Sequence, residues 1–217
     1  MEQVVWTGEM VSRLWNNLAN QSKENYFAFH SGKSLVKHCS KKLDFEGKVV
    51  LDFGCGNGYM YEWLKIHGIE KYIGVDFSEE SVDYIKSNYQ DDARVKGVLI
   101  NDLSKEVASN SVDIILVTEV IEHLYDDVLE ADIEIWKSVL KTDGRIILST
   151  PNAEQLEKNY VYCPCCDNYF HKWQHVRSWN RQLVHDFFDK HELETIFCEE
   201  TMLRDINENI FYYMCLL

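Results

Sequence analysis

The stretch "KVVLDFGCGNGY" (48–59) constrains this chain more than any other. An apolar, β-branched run ends in an acid, Asp52, and then in three glycines spaced two residues apart, Gly54, Gly56 and Gly58. Such a run favours an extended strand. The glycines let the backbone turn tightly and come close to a ligand beside the start of the next helix. A nicotinamide-dinucleotide fingerprint asks for Gly or Ala after the third glycine, where this chain has Tyr59.

From Lys48 onward, strand-like and helix-like segments alternate. The strand-like runs are 48–53, 72–76, 94–100, 112–118 and 144–150, with helical stretches at 58–67, 79–88 and 122–140 between them. Two further β-like runs, 193–200 and 209–217, close the chain. Apolar strands alternating with helices predict an α/β, doubly wound, mostly parallel sheet covered on both faces. Residues 1–43 read as an N-terminal helical cap, with Val11, Leu14, Trp15 and Leu18 at helical spacing. Segment 151–177, which holds both prolines, breaks the rhythm as a substrate-side insert after the fifth strand. With 217 residues, 46% of them hydrophobic, the whole chain 1–217 is expected to form one domain.

Charge narrows the partners. Lys and Arg number 22 against 36 Asp and Glu, a net −14, which argues against a broad nucleic-acid or anionic-membrane surface. The opening residues carry acids and lack the apolar core of a signal peptide. The longest apolar run, Ile210–Leu217, is eight residues, too short to span a bilayer. Seven cysteines without a secretory signal read as reduced thiols or metal ligands, and the chain as cytoplasmic.

Two further polar positions fall in register with the glycine loop. Asp76 ends the second strand, where an acid can accept hydrogen bonds from ribose hydroxyls. Asn101-Asp102 follows the third, within reach of an adenine amino group. Together "LDFGCGNG", Asp76 and Asp102 resemble the ligand-contacting motifs of class I S-adenosylmethionine (AdoMet)-dependent methyltransferases, from about Phe45 to the C-terminus. The resemblance implies a seven-stranded sheet with an antiparallel hairpin edge. It implies AdoMet held by Asp52, Gly54, Gly56, Gly58, Asp76 and Asp102, with Glu119 lining the pocket.

After the fourth strand comes "TEVIEHL" (118–124). On a helix beginning near Glu119, Glu119, Glu122 and His123 share one face. With His175 in "HVRSW", they are similar to the E-x-x-E-H…H pattern of Hen-type small-RNA 2′-O-methyltransferases. In that family the four side chains bind a divalent metal that grips vicinal hydroxyls. Two carboxylates and two imidazoles suit Mg²⁺, Mn²⁺ or another first-row ion. His171 is the nearest further imidazole to act as a base. "EVIEHL" equally resembles the ubiquinone-biosynthesis O-methyltransferases, where Glu119 would line the cofactor pocket and His123 would act alone as base.

"CPCCDNYFHKWQH" (163–175) offers Cys163, Cys166 and His171, with Cys165 as a spare, to a separate zinc ion, or else a reduced cysteine turn stiffening a lid. The expected function is metal-assisted O-methylation of a small hydroxylated or sugar-containing acceptor. The alternatives are an RNA 3′-terminal 2′-O-methyltransferase, with a basic strip at Lys158, Lys172, Arg177 and Arg181, and a non-catalytic AdoMet-binding module.

Overall fold

The computed structural model describes residues 4–19, 23–203 and 212–216. Three helices precede the sheet: α1 (Gly8–Ala19), α2 (Phe27–His30) and α3 (Gly32–Cys39). Strand β1 (Val49–Phe53) leads to α4 (Met60–Leu64), β2 (Lys71–Asp76), α5 (Glu79–Asn88), β3 (Val95–Leu99) and α6 (Leu103–Glu106). Then come β4 (Val112–Thr118), α7 (Asp126–Val139) and β5 (Leu140–Pro151). A two-stranded hairpin, β6 (Tyr160–Cys163) and β7 (Asn168–His171), precedes α8 (Arg181–Lys190), β8 (Phe197–Thr201) and β9 (Tyr212–Leu216).

The main sheet has seven strands in the order β3-β2-β1-β4-β5-β9-β8. Five of them, β3 through β5 in that order, are parallel, and β9 and β8 run antiparallel at the edge. The sheet thus has the seven strands and antiparallel hairpin edge that the resemblance implied, with a parallel part five strands wide. Residues 209–211 and 217 of the last expected strand, and 1–3 and 20–22 of the expected cap, lie outside the described residues.

Strand alternation divides the core in two. Leu51, Phe53, Ile115, Val117, Ile146 and Leu148 pack with Leu129, Ile133 and Trp136 of α7 and Val184 and Phe188 of α8. Val50, Ile114, Leu116 and Ile147 face the other way, against Leu35 and Val36 of α3 and Met60 and Leu64 of α4. A period of two in a strand sends neighbouring side chains to opposite faces. Two covered faces thus explain why the strands read as continuous apolar runs. All the ligand-facing turns then emerge at the C-terminal edge of the parallel strands.

Two local expectations change. The helix anticipated from Glu119 begins only at Asp126: Glu119 takes a left-handed backbone (φ 55°), and Ile121–His123 form a single 3-10 turn. Segment 151–177 is not irregular throughout, because "YVYC" and "NYFH" pair with Tyr160 opposite His171 and Cys163 opposite Asn168. Among the described residues, no helix is long and apolar enough to cross a membrane.

Candidate active site

At the end of β1 the chain turns through Gly54, Gly56 and Gly58, at φ 74°, 50° and 74°. These left-handed values favour glycine, and all three positions are crowded as well, Gly58 by Ile85 Cγ1 at 2.9 Å from its would-be Cβ. A Cβ on Gly54 would lie 2.5 Å from Val120 Cγ2, and one on Gly56 2.6 Å from Tyr26 Cε1. The loop is therefore pressed between the segment after β4 and a tyrosine from the N-terminal region. Asp76 ties the loop to β2, accepting the N–H of Gly56 (2.8 Å) and of Ser78 (2.9 Å). Burial raises its pKa against those backbone hydrogen bonds. The Phe77 N–H acts on the carboxylate as well, and the acceptor capacity left over suits a ribose hydroxyl.

Asp52 is buried, and the Tyr72 hydroxyl donates to its Oδ2 (2.7 Å). Its Oδ1 is buried without a partner. Burial pushes the carboxyl up to about 7, against the Tyr72 hydrogen bond and with a smaller push from Asp76. A buried oxygen left unsatisfied is costly and calls for a cationic or donor group. The amino group of AdoMet fits that requirement. Asp102 stands after β3, half-exposed and paired with Lys105 at 2.8 Å. The residues at hand therefore fit AdoMet along Asp52, the glycine loop and Asp76.

The segment after β4 carries the second half of the site. The left-handed turn at Glu119 points it toward β5, where Ser149 Oγ donates to Glu119 Oε1 (2.7 Å). Glu122 is fully enclosed, and Thr150 Oγ1 donates to its Oε2 (2.9 Å). Its Oε1 has no hydrogen-bond partner, and neither has the buried Nδ1 of His123. His123 Nε2 stands 3.9 Å from Glu122 Oε1. Glu122, His123 and His175 each bring a ligand atom into one group within 4.8 Å. Burial raises Glu122 to about 8 and holds His123 well below the usual histidine range, the latter helped by His175. A buried, unpartnered carboxylate oxygen gathered with two imidazoles fits a divalent cation.

Glu119 stands outside both ligand groups found among the described residues, so three of the four side chains in the Hen-type pattern converge. The carboxylate that sequence reading missed is Glu154. It joins His171 and His175 in a second group within 4.8 Å. Glu154 sits in the polar run "NAEQLEKN", where no local pattern marks it. His171 is completely buried: its Nδ1 accepts the N–H of Trp173 (3.3 Å) and of His175 (3.1 Å), and its Nε2 faces Glu154 Oε1 (3.2 Å). In this arrangement both nitrogens are occupied, which leaves it no lone pair to receive a substrate proton.

The zinc set is not assembled. Cys163, Cys165 and Cys166 lie at the turn of the β6–β7 hairpin, whereas His171 stands opposite Tyr160 at its base. Three residues of strand, about 10 Å, separate them, and among the described residues no ligand group contains a cysteine. Backbone N–H groups of Cys166 and then Cys165 draw the Cys163 thiol below its usual range.

The N-terminal region closes over this half of the site. The Trp15 indole N–H donates to Gln174 Oε1 (3.0 Å), and Gln174 Nε2 donates to the His123 carbonyl (2.9 Å). The Trp15 and His123 rings meet edge to face at 4.9 Å. Trp6 N–H donates to the Tyr125 hydroxyl (3.1 Å), and its ring packs on Phe170. Of the expected basic strip, Arg177 is engaged with Asp126 at 2.6 Å.

Comparison with known proteins identifies the family and the fold. A family model described as a methyltransferase domain matches residues 24–201. The ubiquinone biosynthesis O-methyltransferase of Neisseria meningitidis serogroup C is 28% identical over 134 residues, covering 60% of this chain and 54% of that protein. Its namesake from Coxiella burnetii is 31% identical over 132 residues, covering 58% and 53%. The chain thus matches about half the length of these curated relatives. Among solved structures, the 1,6-didemethyltoxoflavin-N1-methyltransferase of Burkholderia thailandensis, with S-adenosylhomocysteine bound, superposes with a TM-score of 0.73 at 13% identity. That match covers 100% of this chain and 92% of that one. The methyltransferase complexed with the Trm112 activator of Haloferax volcanii gives 0.72 at 18% identity, covering 95% and 96%. With the family model spanning most of its length, the chain belongs to the methyltransferase-domain family and has the fold of a class I S-adenosylmethionine-dependent methyltransferase.

Proposed function

We propose that this protein transfers the methyl group of AdoMet to an oxygen of a small hydroxylated acceptor, with a divalent cation held by Glu122, His123 and His175. The observation that carries the reading is the buried, unpartnered Oε1 of Glu122, which faces His123 Nε2 at 3.9 Å within one three-residue ligand group. The relatives named as O-methyltransferases support oxygen as the accepting atom. AdoMet supplies an electrophilic methyl on a sulfonium sulfur. A cation at the ligand group supplies Lewis acidity that lowers the pKa of a hydroxyl and orients its oxygen.

The chain's own residues do the rest. Asp52, the glycine loop and Asp76 fix the cofactor at the C-terminal edge of β1 and β2. Val120 couples that loop to the acceptor side, so the two halves share a wall. Glu122 and His123 aim inward from the 3-10 turn, and Trp15 shields His123 from water. Positioning of this kind accounts for much of the advantage in a direct displacement. A net charge of −14 and an engaged Arg177 favour a small acceptor over RNA.

The test begins with chelated protein re-supplied with Mg²⁺, Mn²⁺ or Zn²⁺, in wild type and Glu122→Ala. Elemental analysis is expected to find an exchangeable ion in wild type alone. Labelled AdoMet should then methylate vicinal diols, phenols or sugars only in the loaded wild type. Absence of an exchangeable ion in both proteins would refute the cation. Methyl transfer to nitrogen acceptors alone would refute the oxygen chemistry.

A further inference from the structure

The two ligand groups share one residue, His175. A neutral imidazole carries one lone pair and one N–H, so it can offer the lone pair to only one of them. Saturation decides which. Around Glu154 each polar atom is occupied. Oε1 accepts from Asn159 Nδ2 (2.8 Å) and faces His171 Nε2 (3.2 Å), while Oε2 meets His175 Nδ1. The twice-accepting Nδ1 of His171 carries no proton, so the proton of this neutral ring is on Nε2 and is given to Glu154. The His171 and His175 rings stack at 4.4 Å and 19°, which fixes their planes. Around Glu122, by contrast, two buried atoms lack partners.

We propose that Glu154 is a positioning residue for the cation site. It accepts the Nδ1–H of His175, which fixes the tautomer whose Nε2 lone pair serves the Glu122–His123 side, and His171 braces the carboxylate from behind. The inference rests on the reading of the Glu122 group as a cation site. Carboxylate–histidine–metal relays of this kind set both ring orientation and ligand basicity, and their loss typically costs about 10–100-fold in metal affinity. Glu154 thus stands one residue behind the ligands, and the second group is their support rather than a second cation site.

The experiment uses the full chain with Mn²⁺ as the probe. Titration calorimetry measures affinity in wild type, Glu154→Gln and Glu122→Gln, with circular dichroism to verify folding. Long-range ¹⁵N NMR reads the histidine tautomers in the metal-free proteins. Expected are a Nδ1–H tautomer for His175 in wild type, its loss in Glu154→Gln, and Mn²⁺ binding weaker there by about 10–100-fold. Glu122→Gln is expected to lose Mn²⁺ while keeping the His175 tautomer. Unchanged Mn²⁺ affinity in a folded Glu154→Gln overturns the inference. So does a Nε2–H tautomer in wild type, which needs no variant to fold. If wild type binds no cation, the cation reading fails. The positioning role for that site then falls with it, and the tautomers tell whether the fault lies in the ligand group alone (Nδ1–H in wild type, lost in Glu154→Gln) or in the His175–Glu154 geometry as well.

Discussion

Asp52→Asn separates what the carboxylate does for the cofactor from what it costs the fold. Burial holds its pKa at about 7 in the folded protein, against 3.8 for a free side chain. A carboxyl whose pKa rises on folding binds more protons in the native state over that interval. Its native state is therefore most favoured below pH 4, and stability falls as pH climbs through about 7. A rise of about 3 units at about 1.4 kcal/mol each sets a cost on the order of 4 kcal/mol once the group is ionised. Asparagine keeps an oxygen for the Tyr72 hydroxyl and carries no charge, so it removes that slope. Urea denaturation at pH 5 and pH 8 should show the variant gaining on wild type at the higher pH. In a chain of this length the gain could raise the thermal midpoint by about 10 °C. AdoMet binding should move the other way, weakening about tenfold or more at pH 8, because the neutral amide cannot balance the cofactor's cationic groups. Parallel stability curves for the two proteins between pH 5 and 8 would refute the assignment of the cost to Asp52. Unchanged AdoMet affinity would refute its place in the cofactor site.

Two other substitutions probe the two halves of the site. Gly56→Ala forces a Cβ against Tyr26 at a φ of 50°, so it should cost about 1–2 kcal/mol of stability and most AdoMet affinity, measured by denaturation and calorimetry. Trp15→Ala removes the indole from Gln174 and His123, so it should raise the KM for the acceptor several-fold while leaving AdoMet affinity within about twofold.

The strands of the sheet were legible because burial on both faces leaves an unmistakable mark. "VDIILVT" coincides with β4, and 79–88 coincides with α5, whose Ser78 side chain accepts from the Ser81 N–H at its start. The glycine loop proposed for the cofactor was legible as a turn for a related reason: its acid–glycine spacing is set by backbone geometry within one strand–turn–helix. The acceptor half was less so. Nothing near Glu119 in the sequence shows that its backbone turns left-handed, and that one residue removes it from the group formed by Glu122 and His123. Glu154 acquires its role only through partners 17 and 21 residues away. The β6–β7 hairpin left a weak signal, Tyr160 and Tyr162 in alternation before the turn residues "PCCD".

The strip joining Trp15, Gln174 and His123 has a consequence for how the molecule matures. The hydrogen bonds that tie the glycine loop and Asp52 to β2 span 20 residues each, so that part of the cofactor half closes over short chain distances. The acceptor half must bring together contacts separated by 51, 119 and 159 residues. Closing such distances costs chain entropy before any contact repays it. The acceptor side should therefore be the last part to consolidate during refolding and the first to loosen under stress. Catalysis would then fail while AdoMet is still held, and variation in acceptor choice could accumulate there without disturbing the cofactor half.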